Sequence, residues 1–161
     1  TTGKPMLTEL YKSHVGNYPK FYKMDLLSRL GFIAAELLLS AEDKERFTEA
    51  NDRAVILVGH HGSLLADINY LQSIKNPNDY FPSPERFVYT LPNIVTGEIA
   101  IRNKYHGETG FYLLDERNDE VINNIISTAF IDSKTKSVIG GWIDCTDNDN
   151  FEADLNIIER I

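Results

Sequence analysis

Leu91-Pro92-Asn93-Ile94-Val95-Thr96-Gly97-Glu98-Ile99-Ala100-Ile101, followed by Gly107, is the stretch around which the rest of the chain is read. Upstream, Ser83-Pro84-Glu85 is a helix start: a capping hydroxyl, a proline at the first helical position and an acid in the first turn. Pro92 breaks that helix, which resumes to about Tyr105 and is closed by His106-Gly107. Short apolar runs lie on either side. Residues 54–58, ending at Gly59, read as a buried parallel strand, and residues 110–114 read as another.

The same alternation extends outward. Asp25 caps a helix over 26–39, with Leu27, Leu30, Ile33, Ala34, Leu37 and Leu38 at helical spacing. Ser40 followed by Asp43 predicts a polar helix over 42–49. Ser63 starts a helix with Leu64, Ile68, Leu71 and Ile74 as its apolar positions, and Asn76-Pro77 ends it. Asn118, Asp119 and Glu120 open a helix using Val121, Ile122, Ile125, Ile126 and Phe130. Residues 137–143 read as a strand despite Gly140-Gly141. Residues 1–22 read as an irregular lead-in with a short helix near 6–12, and 146–161 as an acidic loop with a terminal helix from 155. Strands alternating with helices predict one α/β domain with a largely parallel sheet.

The chain has 161 residues, 42% hydrophobic and 11% aromatic, enough for a real core. Its net charge of −8 argues against nucleic acid and anionic membranes as partners. The most apolar stretch, 26–39, carries Arg29 and Glu36 and is too short to span a bilayer. One cysteine fits a reducing compartment, and with no signal-peptide pattern a cytoplasmic location is expected.

Several residues are candidates for chemistry. His60-His61 follows a strand end, where open α/β sheets bind ligands, and could supply an acid and a base together with Glu116. A polar loop is the plainer reading, since no Gly-x-Ser-x-Gly elbow accompanies the pair. Cys145 reads as a small buried hydrophobe. Asp144, Asp147, Asp149, Glu152 and Asp154 lack EF-hand spacing and read as a solvated acidic loop, so no metal and no cofactor is expected.

Several blocks in order carry a resemblance to a known family. They are Lys23-Met24-Asp25-Leu26-Leu27-Ser28-Arg29-Leu30, the strand to Gly59, and Gly62-Ser63-Leu64-Leu65-Ala66-Asp67. Phe87-Val88-Tyr89-Thr90-Leu91-Pro92-Asn93 on to Ile101, then Gly107-Glu108 and Gly140-Gly141, complete them. Over residues 20–145 the chain resembles the N-terminal half of β-ketoacyl synthases, a thiolase-like α/β half with a mixed, mostly parallel sheet covered by helices. Counting from Gly107 puts Glu116 where that family has its nucleophilic Cys; Asp115 or Arg117 would stand there if the count slips by one. None is a thiol. The decarboxylating His pair of the family belongs to its second half, which the resemblance does not reach.

The resemblance therefore implies a noncatalytic ketosynthase-like subunit of fatty-acid or polyketide synthesis, of the aryl-polyene type, acting by partner pairing or acyl-chain shaping like a chain-length factor. It implies a homodimer, or a heterodimer with a catalytic ketosynthase, because a lone half would expose an apolar face. Pro92, Asn93, Gly97, Ile101, Glu116, Gly140 and Gly141 are the implied binding residues. An acyl carrier protein is a second candidate partner; Lys20, Lys23, Arg29, Arg102 and Lys104 would have to form its basic patch. A stand-alone homodimeric scaffold, or unrelated acid/base chemistry at His60 and His61, are the alternatives.

Overall fold

All six residues of β1 (Ala54–Gly59) are buried, as a strand covered on both faces requires. The computed structural model describes residues 2–47 and 51–161. β1 is flanked by β2 (Thr109–Leu113) and β3 (Ser137–Cys145), both parallel to it, and β4 (Phe151–Glu159) returns antiparallel along β3. The sheet order is β2-β1-β3-β4, so β2 and β4 are its edges.

Alternate residues of the central strands feed two cores. Val55, Leu57, Ile139 and Ile143 pack under α1 (Gly3–His14), α2 (Leu26–Ser40) and α5 (Ile94–Asn103). Ala54, Ile56, Val58, Val138 and Trp142 pack under α6 (Asp119–Thr128) through Ile122 and Ile126. α3 (Leu64–Ser73) and α4 (Pro84–Val88) complete the connection from β1 to β2. The caps at three helix starts are those expected: Asp25, Ser83 and Asn118 each accept a backbone N–H from the first turn.

Five expectations need correction. The lead-in is ordered: α1 covers twelve residues, and a short 3-10 helix follows at Pro19–Lys23. Leu7 and Tyr11 anchor α1, and Tyr11 stacks on Phe21 with ring centroids 4.2 Å apart. The polar helix expected over 42–49 is absent from 42–47, and 48–49 lie outside the described residues. The charges of that segment serve ion pairs instead: Arg46 reaches Glu36 at 2.6 Å, and Glu42 reaches Arg53 at 2.7 Å. α5 ends not at His106-Gly107 but at Lys104, whose φ of 57° is left-handed. The C-terminal segment is a strand, not a helix. Phe151, Ala153, Leu155 and Ile157 face the larger core while Glu152, Asp154 and Asn156 face away, a period of two.

The fifth correction concerns α3. Leu64 is 47% exposed and Leu71 63% exposed, and Ala66 is the residue the helix buries. Its apolar stripe faces outward, and the Ser63 hydroxyl donates to Thr90 O at 2.7 Å instead of capping the helix.

The N-terminal end of the sheet is closed by Arg53, which is buried. Its guanidinium donates to both Glu42 carboxylate oxygens at 2.8 and 2.7 Å and to Ser137 Oγ at 2.8 Å. The Arg53 hydrogen bonds, set against some burial, bring the Glu42 carboxyl down to about 2. A depressed carboxyl stabilises the fold above its unfolded value and loses that contribution as pH falls toward the folded value. Stability should therefore decline through the acid range below the ordinary glutamate value, and Glu42→Ala should flatten that decline. At neutral pH the same variant strands a buried cation and should cost about 3 kcal/mol in urea unfolding. A loss under about 0.5 kcal/mol, typical of exposed pairs, would contradict this role.

Candidate functional site

The C-terminal ends of the three parallel strands converge on one set of polar groups. Asp144, near the end of β3, accepts the backbone N–H groups of His60 and His61 on Oδ1 at 3.2 and 2.8 Å. Its Oδ2 lies 2.7 Å from His61 Nδ1. Burial works against the Asp144 carboxylate, but the His61 backbone N–H and ring, with that of His60, outweigh it and hold the carboxyl below its ordinary value. His60 Nδ1 donates to the carbonyl of Leu114, just past β2, at 2.9 Å. The two imidazoles meet edge to face, centroids 4.5 Å apart.

The turn after His61 is tight. Gly62 has φ +54°, and a Cβ there would lie 3.0 Å from the Leu113 side chain and 3.5 Å from Pro92 Cβ. The histidine pair therefore sits beside an apolar rim. Sequence reasoning named His60 and His61 but placed Asp144 in an acidic loop; nothing local ties residues 83 apart.

Glu116 lies in an exposed bend between β2 and α6. Arg117 beside it pairs with Asp119 at 2.9 Å and Asp154 at 2.6 Å. Asp119 and Glu120 occupy the first turn of α6, where acids complement the helix dipole. The chain's one thiol, Cys145, is buried at the end of β3. Burial, then the carboxylates of Asp25, Asp144 and Asp147, pushes it up to about 12. Such a thiol holds almost no thiolate at neutral pH.

Asn93, Gly97 and Ile101 fall four residues apart on the outward face of α5, and a Cβ at Gly97 would meet nothing within 4 Å. Val95 and Ile99 form the inward face. The outward stripe can line a channel only when another chain covers it. Gly140 and Gly141 serve close packing: a Cβ at Gly140 would lie 2.7 Å from Ile126 of α6, and one at Gly141 would overlap the Asp154 carbonyl of β4.

Exposed apolar side chains include Leu64, Ile68 and Leu71 of α3, Phe87, Val88 and Leu91 around α4, Ile101 of α5, and Tyr112 and Leu113 of β2. Among the described residues β2 pairs with β1 alone, so its other edge is the outer edge of the sheet. The five basic residues are engaged elsewhere. Lys20 pairs with Glu98 and Lys23 with Glu85, Arg29 donates to Met24 O and Tyr22 O, Arg102 lies near Glu36, and Lys104 donates to Phe47 O. Among the described residues no group of three or more His, Cys, Asp or Glu is placed to hold a metal, and no helix is long and apolar enough to cross a membrane.

The architecture matches solved structures of ketosynthases with chain length factors. The ishigamide ketosynthase/chain length factor matches at TM-score 0.67 and 19% identity, covering 85% of this chain and 38% of the solved one. The ketosynthase ApeO in complex with its chain length factor ApeC, from Xenorhabdus doucetiae, matches at TM-score 0.57 and 17% identity, covering 80% of this chain and 50% of the solved one. The fold is the one these ketosynthase and chain length factor structures share with it. The chain spans half or less of the length of the solved chains it matches. No protein-family model matches it, and no curated protein matches it in sequence.

Proposed function

We propose that this chain is a ketosynthase-like subunit that does not itself condense, and that it acts by pairing with a catalytic ketosynthase in polyketide synthesis. Both solved structures above are of ketosynthases with chain length factors, and the fold is theirs. The observation that carries the noncondensing half of the reading is the occupant of the β2–α6 turn. An exposed Glu116 stands there, and the only thiol is buried at the end of another strand. A carboxylate cannot take part in thioester exchange as a thiolate does.

The pairing half rests on the outer edge of β2 with its exposed Tyr112 and Leu113, and on the exposure of Ile101, Leu91 and Leu64. An exposed edge strand among apolar side chains is a liability unless something covers it. Covering it with a similar strand would extend the sheet across two chains. It would also enclose the Asn93–Gly97–Ile101 stripe, which becomes the wall that shapes an acyl chain. Carrier-protein docking has weaker support, because the basic residues it would use are already paired.

One test separates this reading from a thiol enzyme. Cys145 in the native chain should react with a thiol reagent such as DTNB roughly 100-fold more slowly than in the urea-unfolded chain. Native labelling as fast as unfolded labelling would put a usable thiolate back into consideration.

A further inference from the structure

We propose that His61, held by Asp144, is a general base that activates water for hydrolysis of esters of short aliphatic acids. This activity is separate from pairing and does not depend on it.

The geometry defines the ring's state. With the carboxylate Oδ2 at 2.7 Å, Nδ1 carries the ring proton and donates it. In the neutral ring the Nε2 lone pair is then the one directed away from Asp144. The carboxylate is held in turn by two backbone N–H groups on Oδ1, so base and orienting group are both fixed. The His61 side chain is 29% exposed, so part of the ring is open to solvent.

The surroundings select the ligand. The dyad lies at the C-terminal ends of β1 and β3, the side where open α/β sheets take ligands. Gly62 follows it directly with φ +54°, and a Cβ there would press on Leu113 at 3.0 Å and lie in ordinary contact with Pro92 at 3.5 Å. The apolar side chains of Leu113 and Pro92 beside this turn suit a short aliphatic chain. The nearby Ser63 hydroxyl is committed to Thr90 O at 2.7 Å, so the nucleophile is water, not serine.

The step balances without further reagents. His61 Nε2 takes a proton from water as the water oxygen bonds to the acyl carbon. The acyl carbon's bond to the alcohol oxygen then breaks, and the imidazolium returns its proton to that oxygen. The products are a carboxylic acid and an alcohol.

The experiment measures p-nitrophenyl butyrate hydrolysis by the purified chain and four variants. His61→Gln should lower kcat/KM by about 100-fold or more, the scale of a lost general base. Asp144→Asn should lower kcat roughly 10-fold with KM unchanged, as expected of a positioning residue, and Asp144→Glu should recover part of the loss. His106→Gln removes an exposed imidazole elsewhere and should leave the rate unchanged. Equal rates for wild type and His61→Gln, or an Asp144→Asn effect confined to KM, would overturn the proposal. Should His61→Gln not fold, imidazole 15N–1H spectra of the wild type decide the matter. The Nδ1–H tautomer at His61 supports the base, and the Nε2–H tautomer removes it.

Discussion

Gly141→Ala should lower stability by about 3–4 kcal/mol, and the melting temperature by roughly 10 °C for a chain of this size. Gly141 has φ +150°, a conformation that L residues rarely adopt, and its missing side chain leaves room for the Asp154 carbonyl on β4. A methyl there must either twist β3 or push β4 away. Neither is cheap, because β3 and β4 are paired along nine positions, and β4 covers one edge of the sheet. The flanking strand Val138–Ile139 is fully buried, so strain cannot be released locally. Gly97→Ala is the matching control. It adds a methyl to a helix position with open space beside it and should stabilise by about 0.5–1 kcal/mol. Thermal unfolding followed by circular dichroism reads both. Equal shifts would mean that the close β3–β4 approach is not a constraint on this fold.

Leu113→Lys should weaken pairing with a ketosynthase roughly 100-fold while leaving the isolated chain's melting temperature unchanged. Leu113 is 57% exposed and touches the rim at Gly62, so the lone chain loses little when it is replaced. In an extended sheet the same position is buried against the partner, and a lysine there carries an unpaired charge into an apolar contact. Tyr112 points to the other face of β2, so Tyr112→Lys probes the same edge from the α6 side. Both variants are measured by titration against the partner, with the melting temperature as the fold control. A variant that binds as tightly as wild type would move the interface away from β2.

Much of the fold was legible in the sequence because its signals are local. Residues 54–59 are a continuous apolar run bounded by a glycine, and Asp25, Ser83 and Asn118 are caps whose hydrogen bonds close within three residues. β4 was misread because Glu152, Asp154 and Asn156 make the segment look like the end of an acidic loop. Its alternation acquires meaning only beside β3. The polar helix expected after Ser40 fails for a related reason. Glu42 and Arg46 are drawn into pairs with Arg53 and Glu36, and those partners are not visible from the local pattern. The outward stripe of α3 has the spacing of a core helix, and spacing does not say which side is covered.

The candidate site divides the same way. His60 and His61 were visible as a pair after a strand. Asp144, which fixes the ring of His61, lies on another strand and becomes a partner only through the β1–β3 register. Counting from Gly107 to Glu116 is a reading of the sequence alone, and the structure adds only that Glu116 stands in an exposed bend. The burial of Cys145 is a property of packing and has no local signature.

Pairing is measured most directly by native mass spectrometry of the chain, alone and mixed with Cys-containing ketosynthases of the same organism. The prediction is a one-to-one heterodimer with one of them, lost in Leu113→Lys. A chain that stays monomeric or self-paired in every mixture would contradict the partner-subunit reading.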